Sequence, residues 1–499
     1  MRAKSLILSG ILTYLFLSLV PSPIFSIYMP DFRVNSDTGY VNDWGSRLAF
    51  DKYGNFVVVW NDRGPNSENR QIYFQCFDSL ANRVGDRVLV SDSTNHRNSE
   101  PCIAMHPSGR FVVCWTNFIN IGCADPKLCR LFDVWVQGFD SEGRPAWPRQ
   151  QVDVDRPESA LVEWMPSIAM DKNGNFIVVW ATQNPDQTRD IYAQRFSSAG
   201  ERIGSNFEVR EAPLSSQFPD VAFNSLGYFF IGWQGYTYCP GITYEYVLAR
   251  IFNPAGEPIT PELLIASRCA HNKWKGGNVP AIASNSQNNF VVAFNGFDTL
   301  GTYPNNAIVV QTFDTLGNPV DTATVGSDAI DLGDILFQPR IAVDSADGYV
   351  IVWPDLRNYT SWNLWAQRFN SSGQPQGANY RINMTPGTVY TYYMEDVAIH
   401  GNTVGISWAD NRDYSHNKAD IYAKLLDLDK IGYYYRGDLN LDGAVSVGDI
   451  IYLINYLFRN GWGILPEWTG DANSDGKITV SDVVYLVNYL FKGGPPPAS

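Results

Sequence analysis

Along most of the chain, short apolar stretches rich in Val, Ile, Phe, Tyr and Trp alternate with polar loops rich in Asn, Asp, Gly and Ser. That texture predicts strands bounded by turns rather than helices. One stretch recurs seven times and ends in an aromatic residue: Phe56 to Trp60 (FVVVW), Phe111 to Trp115 (FVVCW), Phe176 to Trp180 (FIVVW), Phe229 to Trp233 (FFIGW), Phe290 to Phe294 (FVVAF), Tyr349 to Trp353 (YVIVW) and Val404 to Trp408 (VGISW). The terminal aromatics lie 55, 65, 53, 61, 59 and 55 residues apart, so a fixed unit carries loops of variable length.

Before most copies comes a short apolar stretch and a turn, as in Ser167-Ile168-Ala169-Met170-Asp171-Lys172-Asn173-Gly174, the first half of a hairpin. After each copy come a polar loop and a third strand: Gln71 to Phe77, Asp133 to Phe139, Asp190 to Phe196, Tyr246 to Phe252, Ala307 to Phe313, Asn363 to Phe369 and Asp420 to Leu426. A fourth follows, exemplified by Phe207-Glu208-Val209 and Tyr380-Arg381-Ile382. Four antiparallel strands repeated seven times predict an all-β, seven-bladed β-propeller over 27–433. An open solenoid or two tandem sandwiches is the alternative. The last unit supplies only three strands, whereas Asp31-Phe32-Arg33-Val34-Asn35 reads as an orphan fourth strand. The N-terminus is therefore expected to complete the last blade and remove an open edge.

Composition narrows the function classes. With 37 Lys plus Arg against 51 Asp plus Glu, the net charge of −14 argues against nucleic acid or an anionic membrane as partner. Arg2, Lys4, the apolar run Leu6 to Val20 and the small Ser26 read as a secretory signal peptide over 1–26, with export as its consequence and a retained anchor as the alternative. No other segment reaches the roughly 18 apolar residues of a membrane span. Seven cysteines fit an oxidising compartment, but the odd number leaves at least one unpaired. Cys123 and Cys129 share a loop, and Cys102 and Cys114 flank a turn so as to face each other across a hairpin; buried free thiols are the alternative reading.

The wording of the repeat, such as Asp190-Ile191-Tyr192-Ala193-Gln194-Arg195-Phe196 before a Ser/Gly turn, resembles propeller-like repeats of large secreted bacterial proteins. That resemblance implies no single activity. In the sialidase Asp-box the Asp stands two residues before Gly; here, as in Asp51 and Gly54, it stands three before, which disfavours a sialidase.

From Gly437 the pattern changes. Asp438 to Asp449 (DLNLDGAVSVGD) precedes a helical run Ile450 to Phe458, and Asp471 to Asp482 (DANSDGKITVSD), 33 residues later, precedes Val483 to Phe491. Both loops match calcium-loop spacing: a hard cation wants six to eight oxygens, supplied from positions 1, 3, 5, 9 and 12 with a carbonyl at 7, and Gly at 6 permits the sharp turn. Asp replaces the usual Glu at position 12, and no convincing helix precedes either loop. Both features resemble a type I dockerin, placed at 436–494. The resemblance implies two Ca²⁺ ions held by Asp438, Asn440, Asp442, the Ala444 carbonyl, Ser446 and Asp449, and by Asp471, Asn473, Asp475, the Lys477 carbonyl, Thr479 and Asp482. It also implies a cohesin-type partner, read partly through Val447-Gly448 and Val480-Ser481. Those pairs lack the twin hydroxyls of some cellulosomal dockerins, which puts a standard cellulosomal partner in doubt. The helical apolar runs are assigned mostly to core.

The propeller carries weaker signals. Asp62-Arg63, Asp355 with Arg357, and Asp410 with Arg412 follow the aromatic-ended strand in units one, six and seven and read mainly as loop ion pairs. Trp44, Trp135, Trp147, Trp164, Trp274, Trp362 and Trp365 lie outside the repeat's terminal aromatic, with inter-blade packing favoured over sugar stacking. The five histidines have no ligand spacing, and no GxSxG elbow occurs. Two functions follow: a secreted, extracellular or cell-surface, non-catalytic propeller that binds glycan or protein and is docked by its tail in polysaccharide breakdown, or a glycoside hydrolase or lyase delivered by the same tail. An enzyme needs two carboxylates with perturbed pKa values converging in one central pocket.

Overall fold

The computed structural model describes residues 31–498 apart from 37–42, 64–69, 92–96, 121–129, 156–161, 185, 187, 212–213, 240–241, 271–278, 297–306, 322–323, 326–337, 357–361, 384–387, 390–394, 413–418, 442–443, 460–463 and 465. The expected leader, Cys123, Cys129, Trp274, Arg357 and Asp442 lie outside the described residues.

Seven four-stranded antiparallel units are formed by the described residues; six follow chain order from the first strand outward, and the seventh takes its outer strand from the N-terminal segment. The predicted aromatic-ended segments are the second strands, among them Phe56–Asp62, Phe176–Gln183 and Tyr349–Asp355. Predicted third strands recur at Gln71–Phe77, Ala307–Phe313 and Asn363–Phe369. Units two and three join into one sheet through a single parallel pairing, Val162 with Phe132. The last unit is completed as the sequence suggests: Phe32–Arg33 pairs antiparallel with Asp420–Asp427, and the Val34 amide donates to the Ile421 carbonyl at 2.7 Å. This closure makes the fold a seven-bladed β-propeller.

The terminal aromatics explain why blades stack. Trp60, Trp115, Trp180, Trp233, Trp353 and Trp408 are all essentially solvent-free, and Phe294 is buried at the same place in blade five. Seven hydrophobic clusters alternate with the seven blades; one joins Trp60 of blade one to Ile421 and Leu425 of blade seven, closing the ring. Trp147 stacks on Phe176, and Trp135, Trp164, Trp362 and Trp365 also pack in these clusters, so most extra tryptophans serve blade packing.

The first hairpin turn of each blade explains the repeated Asp or Asn. Asp51 Oδ1 accepts from the amides of Tyr53 at 2.8 Å and Asn55 at 2.9 Å, and Gly54 takes φ +83°. The same bonds recur at Asp171 and Asn224, so these residues close turns rather than bind ligand.

Two helices follow the propeller, α1 (Val447–Phe458) and α2 (Val480–Lys492). Each starts at a reciprocal cap, Ser446 with Asp449 and Thr479 with Asp482. Among the described residues, no helix is long and apolar enough to cross a membrane.

Candidate functional site

The innermost strand of each blade contributes one residue at one register position to the propeller axis. That residue pairs with the one just before the terminal aromatic: Arg47 with Val59, Cys102 with Cys114, Ser167 with Val179, Asp220 with Gly232, Ala281 with Ala293, Arg340 with Val352 and Asp396 with Ser407. All seven line a cavity of about 450 Å³. In blades one to four the ladder shifts register just before this residue. The residue two places earlier has positive φ: Gly45 (+66°), Glu100 (+56°), Met165 (+53°) and Phe218 (+52°). Such a bulge re-aims side chains, and a side chain at positive φ persists only where its surroundings hold it. Glu100, Met165 and Phe218 line the same cavity.

Three carboxyls face this cavity, and each ties its blade to the next. Glu100 Oε2 accepts from the Met165 amide at 2.7 Å and from Thr116 Oγ1 at 2.9 Å. Asp220 Oδ2 accepts from the Ile282 amide at 2.7 Å, and its Oδ1 from Ser167 Oγ at 2.7 Å. Asp396 Oδ2 accepts from the Leu48 amide at 2.9 Å. Burial pushes all three above the ordinary carboxylate range, opposed by these hydrogen bonds and by Arg47, Arg70 and Arg340.

The arginines are arranged differently. Arg47 Nη1 donates to the Ser46 carbonyl at 3.0 Å and the Glu395 carbonyl at 3.2 Å. Arg340 lines the cavity, yet its buried Nε has no hydrogen-bond partner. Burial, and next the charge of Arg47, lower its pKa. Arg70 also lines the cavity, with its guanidinium 4.8 Å from the Trp44 ring centroid and its Nε likewise unpartnered. Burial, then Arg63 and Arg97, lower its pKa. Two guanidiniums with open donors in one cavity can accept an oxyanion.

The Asp-Arg motifs lie elsewhere. Asp410 pairs with Arg412 at 2.6 Å, and Arg412 reaches Asp31 of the N-terminal clasp at 2.8 Å. Asp62 pairs with Arg87 at 3.0 Å, while Asp355 and Asp410 each accept from the indole nitrogen two residues before. Of the three expected loop ion pairs, Asp410 with Arg412 forms, Asp62 pairs with Arg87 where the sequence reading expects Arg63, and the partner expected for Asp355, Arg357, lies outside the described residues. Cys102 and Cys114 do face each other across the hairpin, as buried free thiols, and Cys102 Sγ donates to the Pro166 carbonyl at 2.9 Å. Sequence reading missed Arg47, Glu100, Asp220, Arg340 and Asp396 because their signal is a register, not a motif.

In the C-terminal segment, the second loop brings Asp471, Asn473 and Asp475 together. The Asp475 and Gly476 amides donate to Asp471 at 2.9 and 3.0 Å, and Asn473 Nδ2 donates to Asp475 at 3.1 Å. Gly476 holds φ +85°, as the tight turn demands. The Lys477 amide donates to Asp475, while Asp482 accepts from the amides of Thr479 and Asn473. A cation already sits at the loop: Arg436 Nη1 lies 2.9 Å from Asp471 Oδ2. This oxygen-only donor set suits a hard divalent ion. Among the described residues, no three His, Cys, Asp or Glu side chains converge on one point. In the first loop Asp438, Asn440 and Asp449 are buried, Ala444 is exposed, and Ser446 caps α1.

The first loop also rests on the propeller. Leu441 is buried with Tyr380, Ile382 and Trp408, and its carbonyl accepts from Tyr380 Oη at 3.0 Å and Lys424 Nζ at 3.2 Å. The helices bury Ile450, Leu453 and Leu486, but leave Val447, Ile451 and Phe458 exposed on α1, and Val480, Val484 and Phe491 on α2. Most of each apolar run packs in the core between the helices, as the sequence suggests, while the exposed residues occupy equivalent positions on α1 and α2.

Residues 436–491 match the family model described as "Dockerin type I domain". They form a type I dockerin domain, a family that binds calcium and docks cohesin modules. Among curated proteins, no relative matches the chain. Similar solved structures include a protein of unknown function from Dyadobacter fermentans (11% identity, 80% of this chain and 98% of that one, TM-score 0.46). Others are the polysaccharide lyase Uly1 (8%, 79% and 91%, 0.48) and the GH93 alpha-L-arabinofuranosidase of Fusarium graminearum with arabinobiose (12%, 81% and 99%, 0.45).

Proposed function

We propose that the chain is an exported propeller that takes a glycan at its axis and is carried by its calcium-loaded tail onto a cohesin-bearing assembly in extracellular polysaccharide breakdown. The leader would end near Ser26, the propeller would span 27–433 and the docking module 436–494. The observation that carries the reading is the pair of loop-helix segments with equivalent solvent-facing triads, Val447, Ile451 and Phe458 against Val480, Val484 and Phe491. Exposed apolar groups in register suit a partner surface.

One Ca²⁺ would be held by Asp471, Asn473, Asp475, the Lys477 carbonyl, Thr479 and Asp482. The other would be held by Asp438, Asn440, Asp442, the Ala444 carbonyl, Ser446 and Asp449. Bound calcium supplies compensating charge for these acidic loops. Asp449 and Asp482 meanwhile bond the loop amides of Leu439 and Asn473 and cap α1 and α2, so loop closure sets the helix starts and with them the exposed triads. The test is binding of the purified protein to a panel of type I cohesins, with calcium and with chelator. Calcium-dependent capture, lost in Asp475→Ala, supports the reading; calcium-independent capture, or none across the panel, defeats it.

A second reading, a glycoside hydrolase or lyase, is favoured by Glu100, Asp220 and Asp396 facing one cavity with raised pKa values. Against it stand the bonds that commit each carboxyl to the next blade. Release of reducing or unsaturated ends, abolished by Asp220→Asn in a folded protein, would establish the enzyme.

A further inference from the structure

We propose that the axial cavity selects an anionic sugar, its acid group seated between Arg340 and Arg47 and its ring against Trp44 and Arg70. The inference rests on the glycan-binding reading above and adds the charge of the ligand.

The cavity divides its charged groups by occupation. Glu100, Asp220 and Asp396 each accept a backbone amide of the neighbouring blade, so their lone pairs hold the ring together. The guanidiniums of Arg340 and Arg70 donate no hydrogen bond among the described residues, and both have a buried Nε without an acceptor. A guanidinium carries five donors in a planar fork that fits a carboxylate with two parallel bonds. Leaving such donors unmet inside a fold is costly, and an oxyanion removes that cost. The charge of Arg47 disfavours that of Arg340, against the pull of Asp220, Asp396 and Glu395, and Arg63 and Arg97 disfavour that of Arg70, against Glu100. An anion seated at Arg340 relieves the repulsion there.

In the cavity Arg47, Arg70 and Arg340 offset Glu100, Asp220 and Asp396, so discrimination falls to the unmet guanidinium donors rather than to a net positive field. The volume of about 450 Å³ lies within the usual range of ligand clefts, roughly 300–1,000 Å³. Trp44 supplies a flat apolar face, with Arg70 stacked 4.8 Å from its centroid, suiting the carbon-hydrogen face of a pyranose beside its acid group. A uronate and a sulfate ester both present this chemistry.

The test is calorimetric titration of the calcium-loaded full chain with four probes: short oligogalacturonates, their methyl esters, neutral galacto-oligosaccharides and sulfated galacto-oligosaccharides. The acid form is expected to bind at least ~10-fold tighter than its ester, with affinity falling as salt rises, and Arg340→Gln to weaken it ~10- to 100-fold. Preference for the uronate assigns a carboxylate ligand, and preference for the sulfated sugar assigns a sulfate ester. The ester arm decides without any variant; should Arg340→Gln not fold, Arg70→Gln takes its place. Equal binding of acid and neutral sugars, unaffected by Arg340→Gln, overturns the inference and leaves the glycan reading standing. Binding of none of the four overturns both.

Discussion

Closure of the propeller rests on a short clasp, and Asp420 is the residue whose removal tests it. Its carboxylate, 2% exposed, accepts from Arg33 Nη2 at 2.6 Å and from Asn35 Nδ2 at 2.8 Å, so it bonds two side chains of the N-terminal segment. In Asp420→Ala the Arg33 contact contributes little, about 0.5–1 kcal/mol, because Arg33 is 29% exposed and solvent screens it. The buried Asn35 amide loses this bond to a charged acceptor at a cost of about 1–3 kcal/mol. Together these give about 1.5–4 kcal/mol. The clasp strand is short, pairing through Phe32 and Arg33, so the loss falls on local opening rather than on the ring. The observable is native-state hydrogen exchange at the Val34 amide, which bonds the Ile421 carbonyl. At about 1.4 kcal/mol per decade, it should exchange roughly 10- to 1,000-fold faster in the variant. The Val179 amide, in the middle of blade three, should not change. An unchanged Val34, or a Val179 accelerated equally, would refute the idea that Asp420 fastens a separable clasp.

Three further outcomes follow from the packing and the electrostatics. Trp180→Ala removes a side chain 1% exposed between blades and should cost about 3–5 kcal/mol in urea denaturation. The raised pKa values of Glu100, Asp220 and Asp396 mean that the folded chain holds protons more tightly than the unfolded one at these groups. Their contribution to stability therefore grows as pH falls towards the ordinary carboxylate value of about 4, and Asp220→Asn should flatten the melting-temperature profile on the side above that value. Leu441→Ala should lower stability by about 2–5 kcal/mol and speed proteolysis within the first dockerin loop, because its side chain is buried among Tyr380, Ile382 and Trp408.

The repeat was legible because its signal is local. An aromatic every 53 to 65 residues, preceded by β-branched residues, marks the strand that each blade buries on both faces. The dockerin module was legible for the same reason, since each of its two repeated loops falls within twelve residues. The axis was not. Arg47, Asp220, Arg340 and Asp396 share no motif and lie in four different blades, brought together only by ring closure. Their common property is pairing with the residue before the terminal aromatic, and that needs the register of the first hairpin, which the bulges displace in four blades. Nor does sequence separate the buried Leu453 from the exposed Ile451 two residues earlier; the packing of α1 against α2 decides which stripe faces inward.

The contact between the two parts of the chain has a mechanical consequence. Lys424 is wholly buried, and its ammonium bonds the Ile382 carbonyl of blade six at 3.3 Å as well as the Leu441 carbonyl of the first dockerin loop. A buried ammonium needs such acceptors, so blade six, blade seven and that loop hold one another in place. Leu441 takes φ +57°, a strained conformation for a branched side chain, and its burial among Tyr380, Ile382 and Trp408 offsets that strain. A dockerin on a loose tether would need none of these contacts. Here the exposed triads of α1 and α2 keep a fixed relation to the propeller axis, so whatever surface receives the triads also sets the direction in which the axial cavity opens.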